Sequence, residues 1–71
     1  MSENHIKLKS SSIEHIDYHV ANDTLEIKFT SGATYHYPNC PVMHHEGLRN
    51  ADSAGAYFQK NIRTRFKGVK V

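Results

Sequence analysis

Side chains of alternating character recur three times in the first half of this 71-residue chain. From His15 to Val20, Ile16, Tyr18 and Val20 point one way and His15, Asp17 and His19 the other. Thr24 to Thr30 repeats the pattern with Leu25, Ile27 and Phe29 on the apolar side, and Thr34 to Tyr37 repeats it with Tyr35 and Tyr37. Period-two alternation marks strands with one buried and one wet face. Asn22-Asp23 and Ser31-Gly32 separate the runs, and both pairs contain residues that tolerate positive φ. Three such runs joined by two short turns constrain the chain to an antiparallel meander.

Paired residues must share a side of the sheet, and this sets the expected register. A two-residue loop at Asn22-Asp23 pairs Val20 with Leu25, Tyr18 with Ile27 and Ile16 with Phe29. A three-residue loop, Ser31-Gly32-Ala33, sets Phe29 opposite Tyr35 and Ile27 opposite Tyr37, with Gly32 or a neighbour at positive φ. On the outer face this pairs Glu26 with His19 and puts Lys28 between Asp17 and His36. Upstream, Ser10-Ser11-Ser12 opens the first strand, and the alternation of Ile6 and Leu8 with Lys7 and Lys9 reads as an edge strand or an extended arm.

The second half changes period. Pro38 ends the third strand because it cannot donate to a ladder. Pro41 suits the first position of a helix, where Val42, His45, Leu48 and Ala51 follow at three-residue steps. Gly47 weakens this helix and keeps it short. Ser53 or Asp52 caps a second helix running to about Arg65, with Ala54, Phe58, Ile62 and Arg65 on one stripe. Gly68 ends it, and Val69 and Val71 form a last short strand or pack loosely. The expected fold is α+β: a three-stranded antiparallel β-meander packed by two short C-terminal helices. Residues 8–71 form a single domain, and residues 1–7 an arm that is flexible or extended.

Seventy-one residues suffice for one domain, which buries roughly 60% of its unfolded surface. Its stability is then about 4–10 kcal/mol. A single cysteine, Cys40, excludes an internal disulfide and favours a reducing compartment. The start of the chain has no signal-like apolar run, and no stretch approaches the roughly 20 apolar residues of a membrane span. The expectation is a soluble cytoplasmic protein. The net charge of +2 is segregated. In residues 1–48, Lys7, Lys9 and Lys28 stand against six carboxylates, a net of −3. In residues 49–71, Arg49, Lys60, Arg63, Arg65, Lys67 and Lys70 stand against Asp52 alone, a net of +5. Such a basic half suits an anionic partner or simply a solvated helix face.

Set on these elements, Leu8-Lys9-Ser10-Ser11-Ser12-Ile13, Ile16, Tyr18, Tyr35-His36-Tyr37, Pro41, Leu48, Ala51, Ser53, Gly55, Phe58 and Asn61-Ile62-Arg63 form an ordered set. The set resembles the KTSC domain, a small domain named for its occurrence at the C-terminus of some lysyl-tRNA synthetases and also found alone in bacterial and phage proteins. The resemblance spans roughly residues 8–71. It implies no established reaction; RNA binding is the activity suggested for the family. Asp17 stands where the family often has glycine, Cys40 where valine is common, and His44 and His45 replace an apolar and aromatic pair.

Two functions compete at this level. The leading one is a non-enzymatic module that binds RNA or single-stranded nucleic acid through Arg49, Lys60, Asn61, Arg63, Arg65 and Lys67, mostly by phosphate contacts. The other is a protein-interaction module, a phage or accessory protein docking on a host factor through His44, His45, Tyr57 and the Cys40 loop. Tyr35 and Tyr37 offer a stacking platform on one reading, but they share the buried face with Ile27 and belong to the core on the other. No cofactor, membrane partner or metal site is expected. Cys40, His44 and His45 do not supply the three or four convergent ligands a metal needs, and His15, His19 and His36 lie beside Asp17, Glu26 and Lys28. Cys40 lacks the third group that would orient a base. No phosphate-cradling glycine loop is present.

Overall fold

A computed structural model describes residues 6–8 and 10–71. The described chain is α+β. Its sheet has five antiparallel strands in sequential order: β1 (Ile6–Lys7), β2 (Ile13–His19), β3 (Thr24–Phe29), β4 (Thr34–Tyr37) and β5 (Val69–Lys70). The expected three-strand meander is its centre, β2 to β4, and both ends of the domain extend it. Ile6 pairs with Ile16 and Lys7 with His15, so the end of the expected arm is an edge strand; residues 1–5 and Lys9 lie outside the described residues. At the other edge Tyr35 pairs with Lys70 and His36 with Val69. Ser10–Ser12 does not open a strand but makes the turn between β1 and β2, where Ser10 Oγ accepts the N–H groups of Ser12 and Ile13 at 3.2 Å each.

Both hairpins keep the expected face and shift the expected register by two residues. Tyr18 pairs with Leu25 and Ile16 with Ile27, because the first turn uses four residues. Val20–Asn22 form a turn of 3₁₀ helix and Asp23 alone adopts positive φ, 49°. A two-residue loop would need both central residues there. Val20 consequently leaves the apolar face and is 67% exposed. In the second hairpin Leu25 pairs with Tyr37 and Ile27 with Tyr35. The N–H of Phe29 donates to Ala33 and that of Gly32 back to Phe29, both at 2.9 Å, with Gly32 at φ 100°. That is a three-residue bulge loop, one residue earlier than expected. A two-residue slip preserves which side each chain faces, so the core set survives. One bulge was not expected: the register shifts between Ile13 and His15, and Ile13 and Ile16 both point inward.

Two helices cover the inner face. The first, α1 (Met43–Asn50), follows Pro41, whose carbonyl accepts the N–H of His44. It buries His44, His45 and Leu48, while Val42 is 48% exposed rather than part of the stripe. The second, α2 (Ala54–Tyr57), is capped as expected by Ser53, whose hydroxyl accepts the N–H of Ala56 at 3.2 Å. It widens at once into a π turn, Phe58–Ile62, closed by Arg63 N–H to the Phe58 carbonyl at 2.9 Å. The extra residue in this turn rotates the next side chains about the helix axis. Arg65 is exposed, and Phe66 takes the inward place expected for it. The core joins Ile13, Ile16, Tyr18, Leu25, Ile27 and Tyr37 of the sheet to Cys40, Leu48, Ala54, Phe58 and Ile62. Gly47 has a packing reason: a Cβ there would collide with the ring and hydroxyl of Tyr57.

Candidate nucleic-acid interface

The C-terminal helix meets β3 and β4 through Phe58, whose ring packs edge-on against Phe29 and Tyr37, and the π turn sets where the cations after it fall. Arg63 follows that turn and lines a cleft of about 400 Å³ with Phe29, Ser31, Ala33, Tyr35, Tyr37, Phe58 and Gln59. Its Nη1 donates to Gln59 Oε1 at 2.9 Å, which steadies the guanidinium at the rim. The walls are aromatic. Phe29 meets Tyr35 edge-on at 5.8 Å, Tyr37 meets Phe58 edge-on at 5.7 Å, and Tyr35 and Tyr37 lie within 30° of parallel at 6.3 Å. Tyr37 is only 5% exposed and forms the floor, so it belongs to the core. Burial raises its phenol pKa, the neighbouring Tyr35 adds to the rise, and Arg63 opposes it. Tyr35 and Phe29 are partly open, and what the cleft offers a ligand is one cation above a half-exposed aromatic wall.

The other sequence candidates disperse. Asn61 is turned to its own helix, Nδ2 donating to the Tyr57 carbonyl at 3.3 Å, and contributes to the π turn's backbone accounting. Lys60 and Lys67 are exposed on the same segment as Arg63. Arg65 sits beside His44 of α1: burial first, and the Arg65 charge second, lower the His44 pKa. Arg49 is exposed in the last turn of α1. Arg63 is therefore drawn to the sheet and Arg65 to the first helix. Gln59 and Ser31 were not among the expected site residues. Gln59 was findable, because a glutamine four residues before an arginine on a helix is a side-chain pair.

The alternative surface expected from the sequence is largely internal. His44 and His45 are 8% and 3% exposed, and Cys40 is fully buried. His44 Nδ1 is hydrogen-bonded to the half-buried Tyr57 hydroxyl at 3.1 Å and packs edge-on against Phe66 at 5.3 Å. The two histidines thus fill the places of apolar side chains. Tyr18 donates its hydroxyl to the Cys40 carbonyl at 2.7 Å, with Asp23 at 3.4 Å, and its pKa is raised by burial and then by the Asp23 charge. Burial pushes the Cys40 thiol up to about 11, so almost no thiolate exists at neutral pH.

On the opposite, outer face, Glu26 Oε1 accepts hydrogen bonds from His19 Nε2 at 2.9 Å and His36 Nε2 at 3.0 Å. Those bonds hold the Glu26 carboxyl below its ordinary pKa, the His19 bond most and His36 next, against an opposing rise from burial. The sequence paired Lys28 with Asp17 and His36; Lys28 instead stands across from His15 and Thr34 and reaches Glu14 at 3.9 Å. No helix among the described residues is long and apolar enough to cross a membrane.

Comparison with known proteins agrees with this geometry. A model of the KTSC domain matches residues 9–66. A lysine–tRNA ligase of Trichormus variabilis is 39% identical over 62 residues, 87% of this chain and 11% of the ligase. The chain therefore spans about a tenth of the length of such ligases. A protein of Tsukamurella paurometabola is 36% identical over 62 residues, covering 87% of this chain and 92% of that one. The crystal structure of a KTSC domain protein from Yersinia pestis superposes with a TM-score of 0.88 at 33% identity, over 94% of each chain.

Proposed function

This chain belongs to the KTSC domain family, and from that premise we propose that it is a non-enzymatic module that binds RNA or single-stranded nucleic acid along its C-terminal helix. The observation that carries the reading is Arg63 held at the rim of an aromatic cleft, with Lys60 and Lys67 exposed on the same segment. Phosphates bind the cations, and a base edge meets Tyr35 or Phe29 beside Arg63. Stacking on an open ring is worth about 1–3 kcal/mol per base, but Tyr37 is sealed and only part of the wall is available. Phosphate contacts therefore dominate, and sequence preference is slight. A matching segment in proteins named as ligases of lysine to tRNA makes RNA the first ligand to test.

The same reading leaves catalysis out. Cys40 is buried and protonated, His44 is bonded to the Tyr57 hydroxyl, and His19 and His36 are bonded to Glu26. A lone reduced cysteine fits a cytoplasmic setting. Exposed Val42 and Met43 favour a second reading, in which the start of α1 docks on a protein. The test is a titration of fluorescent single-stranded RNA with nuclease-treated protein at several salt concentrations. Binding that weakens steeply with salt supports the proposal. Absence of binding at low salt overturns it and promotes the protein-docking alternative.

A further inference from the structure

The outer face of the sheet carries a second arrangement, independent of the cleft. Alternation turns His15, Asp17 and His19 of β2 outward, with Glu26 of β3 and His36 of β4. The register aligns Asp17, Glu26 and His36 in one row across three strands. Glu26 Oε1 is 2.9 Å from His19 Nε2 and 3.0 Å from His36 Nε2, and the two imidazole rings are 5.7 Å apart. One donor atom from each of His19, Glu26 and His36 lies within 4.8 Å of the others, and the same holds for His15, Asp17 and Glu26.

The chemistry of this set points to a cation. Asp17 and Glu26 are cross-strand partners, so two carboxylates and the imidazoles of His15, His19 and His36 share one patch of the outer face. Tetrahedral zinc with ligands at about 2.0–2.1 Å sets donor atoms about 3.3 Å apart. Each nitrogen already lies close to that distance from the carboxylate oxygen, and the three donor atoms lie within 4.8 Å of one another, so side-chain rotations bring them to a common centre. Neutral imidazole paired with carboxylate suits zinc, nickel and copper rather than calcium or magnesium. The sequence places His19, Glu26 and His36 on one outer face, but its expected register sets His36 against Lys28 rather than Glu26, and no metal site was expected there. The three converge only through the register.

We propose that His19, Glu26 and His36 form a surface site for a first-row divalent cation of the zinc class. Asp17 and His15 flank the shared carboxylate. Three protein ligands leave coordination positions open to water or to a ligand supplied by a partner. The ion replaces the two imidazole–carboxylate hydrogen bonds, and each histidine presents its Nε2 lone pair with the proton on Nδ1.

The test is zinc chloride titrated into chelator-stripped full-length protein at pH 7.5, by calorimetry and by NMR of the histidine rings. The expected result is one zinc per chain, with the His19 and His36 ring signals moving and those of His44 and His45 unmoved. His19→Ala, His36→Ala and Glu26→Gln should each weaken zinc by about tenfold or more. The wild-type ring signals decide the matter even if one variant folds poorly. No binding at millimolar zinc, ring shifts confined to other histidines, or affinity indifferent to His36→Ala would overturn the site.

Discussion

The backbone N–H of Arg63 donates to the carbonyl oxygen of Phe58, five residues back, at 2.9 Å. This π turn keeps Phe58 and Ile62 buried, brings Arg63 onto the aromatic cleft, and turns Phe66 inward in place of Arg65. Single-turn π bulges of this kind are frequent at functional sites. Here the turn sets Arg63, a cation, against the aromatic wall.

Arg63→Ala should flatten the salt dependence of RNA binding. With three or four cations engaged on a single strand the log–log slope is about −2 to −3, each neutralised phosphate adding about −0.7. Loss of Arg63 should remove about one such unit and weaken all sequences alike. Lys7→Ala, on the edge strand β1, should leave the slope unchanged. Fluorescence anisotropy at four or more salt concentrations measures both.

Tyr37→Ala should cost about 3–5 kcal/mol, as for other large aromatic truncations. The ring is 5% exposed and packs against Phe58 and Tyr35. This loss approaches the whole stability of so small a domain, so chemical denaturation should show a variant largely unfolded in buffer. A variant that unfolds at the parent's denaturant concentration would refute the buried assignment.

Gly68→Ala tests the same ring from the other side. A Cβ at Gly68 would lie 2.6 Å from Tyr37 Cε2, and the buried ring has little room to retreat. Overpacking of this kind costs about 1–3 kcal/mol. The expected readout is a lower urea midpoint with an unchanged denaturant slope.

Acid should destabilise the domain through His44. Burial and the Arg65 charge lower its folded pKa beneath the ordinary 6.5. The unfolded chain then binds the proton first, so stability falls as pH drops through 6.5 toward the folded value and is level above it. His44→Phe should flatten that stretch of the stability profile. Arg65→Ala, by removing one of the two causes, should raise the His44 midpoint seen by NMR and shrink the acid-linked loss.

Alkali should act through Cys40. Its folded pKa is raised from 9.0 to about 11. The unfolded thiol ionises first, so this contribution is intact below about 9 and is lost as pH rises from there toward 11. At about pH 8 iodoacetamide should label the native chain far more slowly than the urea-unfolded chain, because the thiolate is the reacting species. Equal labelling rates would show that the thiol is not sequestered.

The sequence by itself determined the parts that depend on local periodicity and single-residue chemistry. Alternation assigned the faces of β2, β3 and β4, because a side chain's side depends only on whether its position is odd or even along a strand. Positive φ at Gly32 and the cap at Ser53 arose from those residues' own stereochemistry. Tertiary structure decided what depends on exact pairing and helix phase. Whether the first turn spends two residues or four left the faces intact but expelled Val20 and moved Glu26 opposite Asp17, and the earlier second loop set His36 opposite Glu26. Edge strands as short as Ile6–Lys7 and Val69–Lys70 exist only because the middles of β2 and β4 are there to pair with them. The register-dependent histidine cluster and the π turn that separates Arg63 from Arg65 arise from contacts between residues far apart in the chain or from packing against the sheet. No window of sequence carries either of them.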